Sequence, residues 1–103
     1  MIKVTPGTTG EGFLAKTDGP AYAAATQALR QAFGKEVVHY GVGGSIPLVA
    51  AFLAAIPDAE IILWGPEEPQ CKIHAPNESV DLAELERCTL AEALFIAGLC
   101  DAR

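Results

Sequence analysis

At 103 residues the chain holds one domain at most. A net charge of −6, with seven scattered basic residues, leaves no patch able to neutralise successive phosphates, which argues against nucleic-acid binding. Half of the residues are hydrophobic and 10 more are glycine, an apolar share of about 60% against the usual 45–50%, so faces are expected that a second copy or a missing part of the polypeptide covers.

Met1 to Gly10 is rich in Thr and Gly without periodicity and reads as a loop or tail, followed by a short β-compatible stretch from Gly12 to Lys16. Asp18 is placed to cap a helix whose first turn holds Pro20, and Gly34 is its stop signal. Tyr22, Ala25, Leu29 and Phe33 recur at helical spacing, while Gln27, Arg30 and Gln31 fall on the water-facing side. Glu36 to Tyr40, with paired valines, predicts a strand. Ser45 then predicts a cap for a second helix with Pro47 in its first turn. Leu48 to Ile56 is apolar all round, as in a helix buried on more than one face, until Pro57-Asp58 ends it. Ile61 to Trp64 resembles an interior strand of a parallel sheet. After a loop rich in Pro and Glu, Asp81 and Glu84 suggest a capping box. The final helix carries an inward stripe of Leu82, Leu85, Cys88, Ala91, Phe95 and Leu99.

The resulting order, β-α-β-α-β-α, predicts an α/β fold with a small, mostly parallel sheet. The longest apolar run, Ile46 to Ile56, is about half of the ~20 residues that span a bilayer, and the N-terminus does not read as a signal peptide. Three cysteines without a C-x-x-C pair suit a reducing compartment, so a cytoplasmic protein is expected, with Cys88 and Cys100 as buried small hydrophobes.

Ligands of open α/β sheets gather beyond the carboxyl ends of strands. Two segments fall there. Gly41-Val42-Gly43-Gly44-Ser45 leads a strand into a helix, and its free N–H groups suit a carboxylate or phosphate, although glycines also serve a plain tight connection. It lacks both the G-x-G-x-x-G fingerprint and the Lys-Ser/Thr of a P-loop, which makes a nucleotide-binding module the weakest reading. The second segment is Ile73-His74-Ala75-Pro76-Asn77-Glu78. His74 is either a hydrogen-bonded surface residue or a metal ligand, in a loop stiffened by Pro76 with Asn77 and Glu78 able to hydrogen-bond nearby. His39, at a strand end, is a second contributor or faces solvent or the neighbouring helix.

From about Pro20 to Leu99 the chain resembles the C-terminal part of the zinc-dependent peptidases and amidohydrolases that include carnosinase-like dipeptidases, carboxypeptidase G, aminoacylases and succinyl-diaminopimelate desuccinylase. Gly-Gly-Ser-Ile-Pro and the later His-Ala-Pro-Asn-Glu occur in this order at similar spacing in the dipeptidase branch. The resemblance implies that His74 is the last protein ligand of a two-zinc centre. It implies that Gly43, Gly44 and Ser45 bind the substrate's terminal carboxylate, with Asn77 and Glu78 supporting the ligand from behind. Such a centre polarises a scissile carbonyl and activates water. The implied substrate is a dipeptide or an N-acyl amino acid. Where many dipeptidases carry an Arg two residues before the Gly-Gly pair, this chain has Gly41.

The family's H-x-D motif, bridging Asp, Glu-Glu pair and most of its lid domain would all precede residue 1. Residues 1–18 are thus expected to be a tail and the last lid strand, and residues 19–103 the C-terminal portion of a larger catalytic domain. On this reading no catalytic base lies in the chain, which is inactive alone and needs the missing N-terminal catalytic and lid segments. The competing reading is a stand-alone interaction domain that self-associates, for example as a homodimer.

Overall fold

The computed structural model describes residues 2–4, 12–41 and 46–101. It contains three helices, α1 (Pro20–Phe33), α2 (Pro47–Ala55) and α3 (Leu82–Asp101).

Helix α1 starts one residue later than a cap at Asp18 would give. Gly19 holds the capping position, Pro20 opens the first turn and no side chain of the chain's immediate neighbourhood caps it. The cap comes instead from 39 residues away: the Glu60 carboxylate accepts the Ala21 N–H at 3.2 Å and the Tyr22 N–H at 2.9 Å. Gly34 ends the helix in the left-handed region (φ 65°), where it donates its N–H to the Arg30 carbonyl at 2.9 Å.

Helix α3 begins as its sequence predicts. Asp81 Oδ1 accepts the N–H groups of Ala83 (2.8 Å) and Glu84 (2.9 Å). The reciprocal half of the capping box is replaced by an ion pair of Glu84 with Arg87 at 3.3 Å.

Helices α1 and α3 pack on each other. Their seam is made of small residues, Ala25 and Ala28 from α1 and Cys88 and Ala91 from α3, all buried. Phe95 and Leu99 are half-buried beside it, whereas Leu82 and Leu85 are exposed because the first turn of α3 has nothing packed over it. Cys100 is also exposed, which corrects its assignment to the core.

Helix α2 departs further from expectation. Ile46 occupies its capping position and Ser45, the expected cap, lies outside the described residues. It packs on neither of the other helices. Only Val49 is buried, while Leu48, Phe52 and Ile56 are each half or more exposed. An all-apolar helix here is largely uncovered rather than buried on several sides. Ala59 donates its N–H to the Ile56 carbonyl at 3.0 Å around Pro57-Asp58, the stop that the sequence signals.

The α/β expectation fails. Among the described residues there is no strand, and the segments 36–40 and 61–64 exchange no backbone hydrogen bonds. The physical reason is that β-branched and aromatic residues favour a pleated surface only when a neighbour supplies the ladder. Here side chains hold the second segment instead: Glu60 caps α1, and Trp64 packs edge-on against Phe95 at 5.7 Å between ring centroids. Val38, Tyr40 and Leu63 are left exposed.

The radius of gyration is 16.5 Å, against about 13 Å for a compact domain of this size. Among the described residues no large side chain is completely buried, and no helix is long and apolar enough to cross a membrane.

Candidate functional site

The loop from Gly65 to Val80 is built from consecutive reverse turns. Cys71 donates its N–H to the Glu68 carbonyl at 3.0 Å, Ala75 to Lys72 at 2.9 Å and Glu78 to Ala75 at 3.2 Å. Pro69 and Pro76 occupy the second positions of the first and third turns, where their fixed φ is already suitable. Ser79 donates to the Cys71 carbonyl at 3.0 Å and closes the base of the loop. Cys71, at that base, is buried, 4% exposed.

His74 stands at the loop's exposed tip with φ 61°. Histidine is among the few residues enriched in this left-handed region. Among the described residues its ring makes no hydrogen bond to a side chain or backbone group. Asn77 also has φ 61°, and Glu78 follows it; both are exposed, and neither side chain has a hydrogen-bond partner among the described residues.

Beside the loop lies an open pocket of about 540 Å³ lined by Tyr40, Glu67, Glu68, Cys71, Lys72 and Ile73, among others. Tyr40 and the loop that carries His74 thus border one cavity. Gly43, Gly44 and Ser45 themselves lie outside the described residues. The sequence gives one signal for Tyr40, its position directly before the glycines, and none for Lys72. His39 is exposed, and its ring lies beside Tyr22 of α1, centroids 5.6 Å apart.

As donors for metal the chain offers two exposed imidazoles, His74 at the loop tip and His39 beside Tyr22. Among the described residues no three of His, Cys, Asp and Glu converge. That arrangement suits one contributed ligand and does not form a complete centre. The Cys88 thiol takes no part: burial, and secondarily the nearby Glu84 carboxylate, push its pKa up and keep it protonated.

The model of the Peptidase family M20/M25/M40 matches residues 1–97. The chain belongs to this peptidase family. It is similar to a cysteinylglycine-S-conjugate dipeptidase of Corynebacterium striatum, with 40% identity over 97 residues, which cover 91% of this chain and 21% of the relative. The chain thus spans about a fifth of the length of that dipeptidase. No solved structure matches it.

Proposed function

We propose that the chain is the C-terminal part of a two-zinc dipeptidase, in which His74 is one metal ligand. The observation that carries this reading is His74 itself. It is exposed, it has no hydrogen-bond partner among the described residues, and it is held at positive φ on a loop whose base is buried. Left-handed backbone at residues other than glycine, which His74 shares with Lys72 and Asn77, costs about 1–3 kcal/mol and clusters at ligand sites.

In the complete enzyme the zinc pair supplies polarisation of the scissile carbonyl and activation of water. This chain's residues do the rest of its share. His74 holds one ion through a ring nitrogen, which requires the neutral imidazole. The N–H groups of Gly43, Gly44 and Ser45 hold the carboxylate of a dipeptide or N-acyl amino acid at the start of α2, where the helix dipole favours an anion. Asn77 and Glu78 support the ligand loop. The remaining ligands and the general base come from segments outside this chain. Residues 1–18 correspond to the end of the lid domain and residues 19–103 to the catalytic domain.

The uncovered apolar surface supports the same reading. Leu48, Phe52 and Ile56 of α2 and, elsewhere in the chain, Val38 and Leu63 are each half or more exposed, and the remainder of the peptidase is the cover proposed here. Free cysteines suit a cytoplasmic enzyme.

The test is zinc-dependent dipeptide hydrolysis by this chain alone and mixed with the polypeptide encoded upstream of it. Activity only in the mixture is expected. Activity of the chain alone overturns the assignment of the missing ligands. A stable oligomer that stays inactive in the mixture and indifferent to zinc instead identifies a self-associating interaction domain.

A further inference from the structure

Two reverse turns that share Ala75 display His74. The first runs from Lys72 to Ala75 and the second from Ala75 to Glu78, each closed by a backbone hydrogen bond, of 2.9 Å and 3.2 Å. The third residue of each turn, His74 and Asn77, has φ 61°, while Ile73 and Pro76 before them have negative φ, as type II turns require. Lys72, with φ 56°, opens the pair, so three residues without glycine's freedom sit in the left-handed region within six positions.

Such a backbone persists only where its surroundings determine it. Pro76 presets the second position of the second turn, and Asn is the residue that best tolerates the third after glycine. The Asn77 side chain is exposed and bonds to nothing among the described residues. What Asn77 contributes is therefore its backbone conformation.

We propose that Asn77 is a positioning residue for His74. Its left-handed backbone closes the second turn, which fixes the peptide planes of Ala75 and thereby the first turn that aims the imidazole. This inference rests on the reading of His74 as a zinc ligand. It assigns no catalytic role to the Asn77 amide.

The experiment compares Asn77→Gly, Asn77→Ala, Asn77→Val and His74→Ala. Two quantities are read: φ-sensitive NMR couplings at residues 74 and 77 in this chain, and kcat and KM in the complete dipeptidase that the chain is proposed to belong to. Asn77→Gly is expected to keep the couplings at His74 and the activity. Asn77→Ala should shift the couplings and lower kcat several-fold with KM little changed, and Asn77→Val, whose β-branch is least at ease at positive φ, should do so more strongly. Unchanged couplings and kcat in Asn77→Ala and Asn77→Val overturn the positioning role alone. So does a loss in Asn77→Gly equal to that in Asn77→Ala, since the amide would then matter. Full activity in His74→Ala removes the zinc reading itself, and this inference with it.

Discussion

The Glu60 carboxylate occupies the space that a side chain on Gly19 would need, and from there it accepts the first free N–H groups of α1. Gly19 has φ −86° and ψ 166°, a conformation open to any residue, so glycine is required there for room alone. The pairing joins the segment after α2 to the start of α1, and it places a negative charge at the positive end of a helix dipole.

Removing that cap has a defined cost. Glu60→Ala should lower stability by about 1–2 kcal/mol, and Glu60→Gln by less, since an acceptor remains and only the charge is lost. Gly19→Ala should cost a similar amount by pushing the carboxylate off the helix end. Urea denaturation followed by helical circular dichroism gives each value. Because both substitutions break the same bonds, the double variant should lose clearly less than the two single losses combined. Full additivity would show that Gly19 and Glu60 act independently.

The α1–α3 seam makes opposite predictions for two small residues of α3. A Cβ added at Gly98 would lie 3.7 Å from the Ala24 Cβ, an ordinary contact, so Gly98→Ala should stabilise by about 0.5–1 kcal/mol through helix propensity. Ala91 is 0% exposed, in the seam between the two helices. Ala91→Leu should cost about 1–3 kcal/mol by overpacking. The midpoints of the same urea transitions decide both.

These particulars explain what was legible in the sequence. The stop of α1 and the start of α3 were, because Gly34 and Asp81 act on backbone groups within four residues of themselves, whereas the cap of α1 falls on Gly19 and not on Asp18. The α1 stripe and the Cys88–Leu99 part of the α3 stripe were, because 3.6-residue spacing decides which side chains meet. The Glu60 cap was not, because its partner lies 39 positions away and no local signal announces it. Val37-Val38 and Ile61 to Trp64 have strand composition, yet a strand is a property of a pair, and among the described residues neither segment has a backbone partner. In the candidate site Pro76-Asn77 is a readable turn signal. The positive φ of Lys72 and His74 is not, since neither residue type demands it.

Burial makes stability depend on pH through Cys88. Its folded pKa is raised above the unfolded value, so the stabilisation it carries is complete below the ordinary thiol pKa of about 8.5 and is lost as pH rises through the folded value. Thermal melts between neutral and alkaline pH should show Tm falling in the upper part of the range, with a shallower fall in Cys88→Ala. Iodoacetamide should modify Cys100 well before Cys88, because Cys88 is both covered and protonated. Equal modification rates for the two would contradict that burial.

Gly44 bears on the substrate rather than the metal. If the N–H groups of the glycine-rich turn hold the substrate's carboxylate, Gly44→Leu in the complete enzyme should block that approach. Losing one charge-assisted hydrogen bond, worth about 1.5–3 kcal/mol, raises KM by roughly one to two orders of magnitude with a smaller effect on kcat. An unchanged KM for a dipeptide removes the turn from substrate binding.

His74 sets stability against function. Its left-handed backbone suits glycine better than any residue with a Cβ, so His74→Gly should raise the stability of the chain by about 1 kcal/mol, while His74→Ala, which keeps the Cβ, should leave it nearly unchanged. Both remove the imidazole and should abolish zinc-dependent hydrolysis in the complete enzyme without unfolding it, because an exposed ring at a loop tip contributes little to packing. A histidine retained purely for structure predicts the reverse: activity would survive, and both substitutions would destabilise. Denaturation and kinetics on the same two variants separate the cases, since a more stable but inactive His74→Gly is the outcome that only a functional reason for the strained histidine explains.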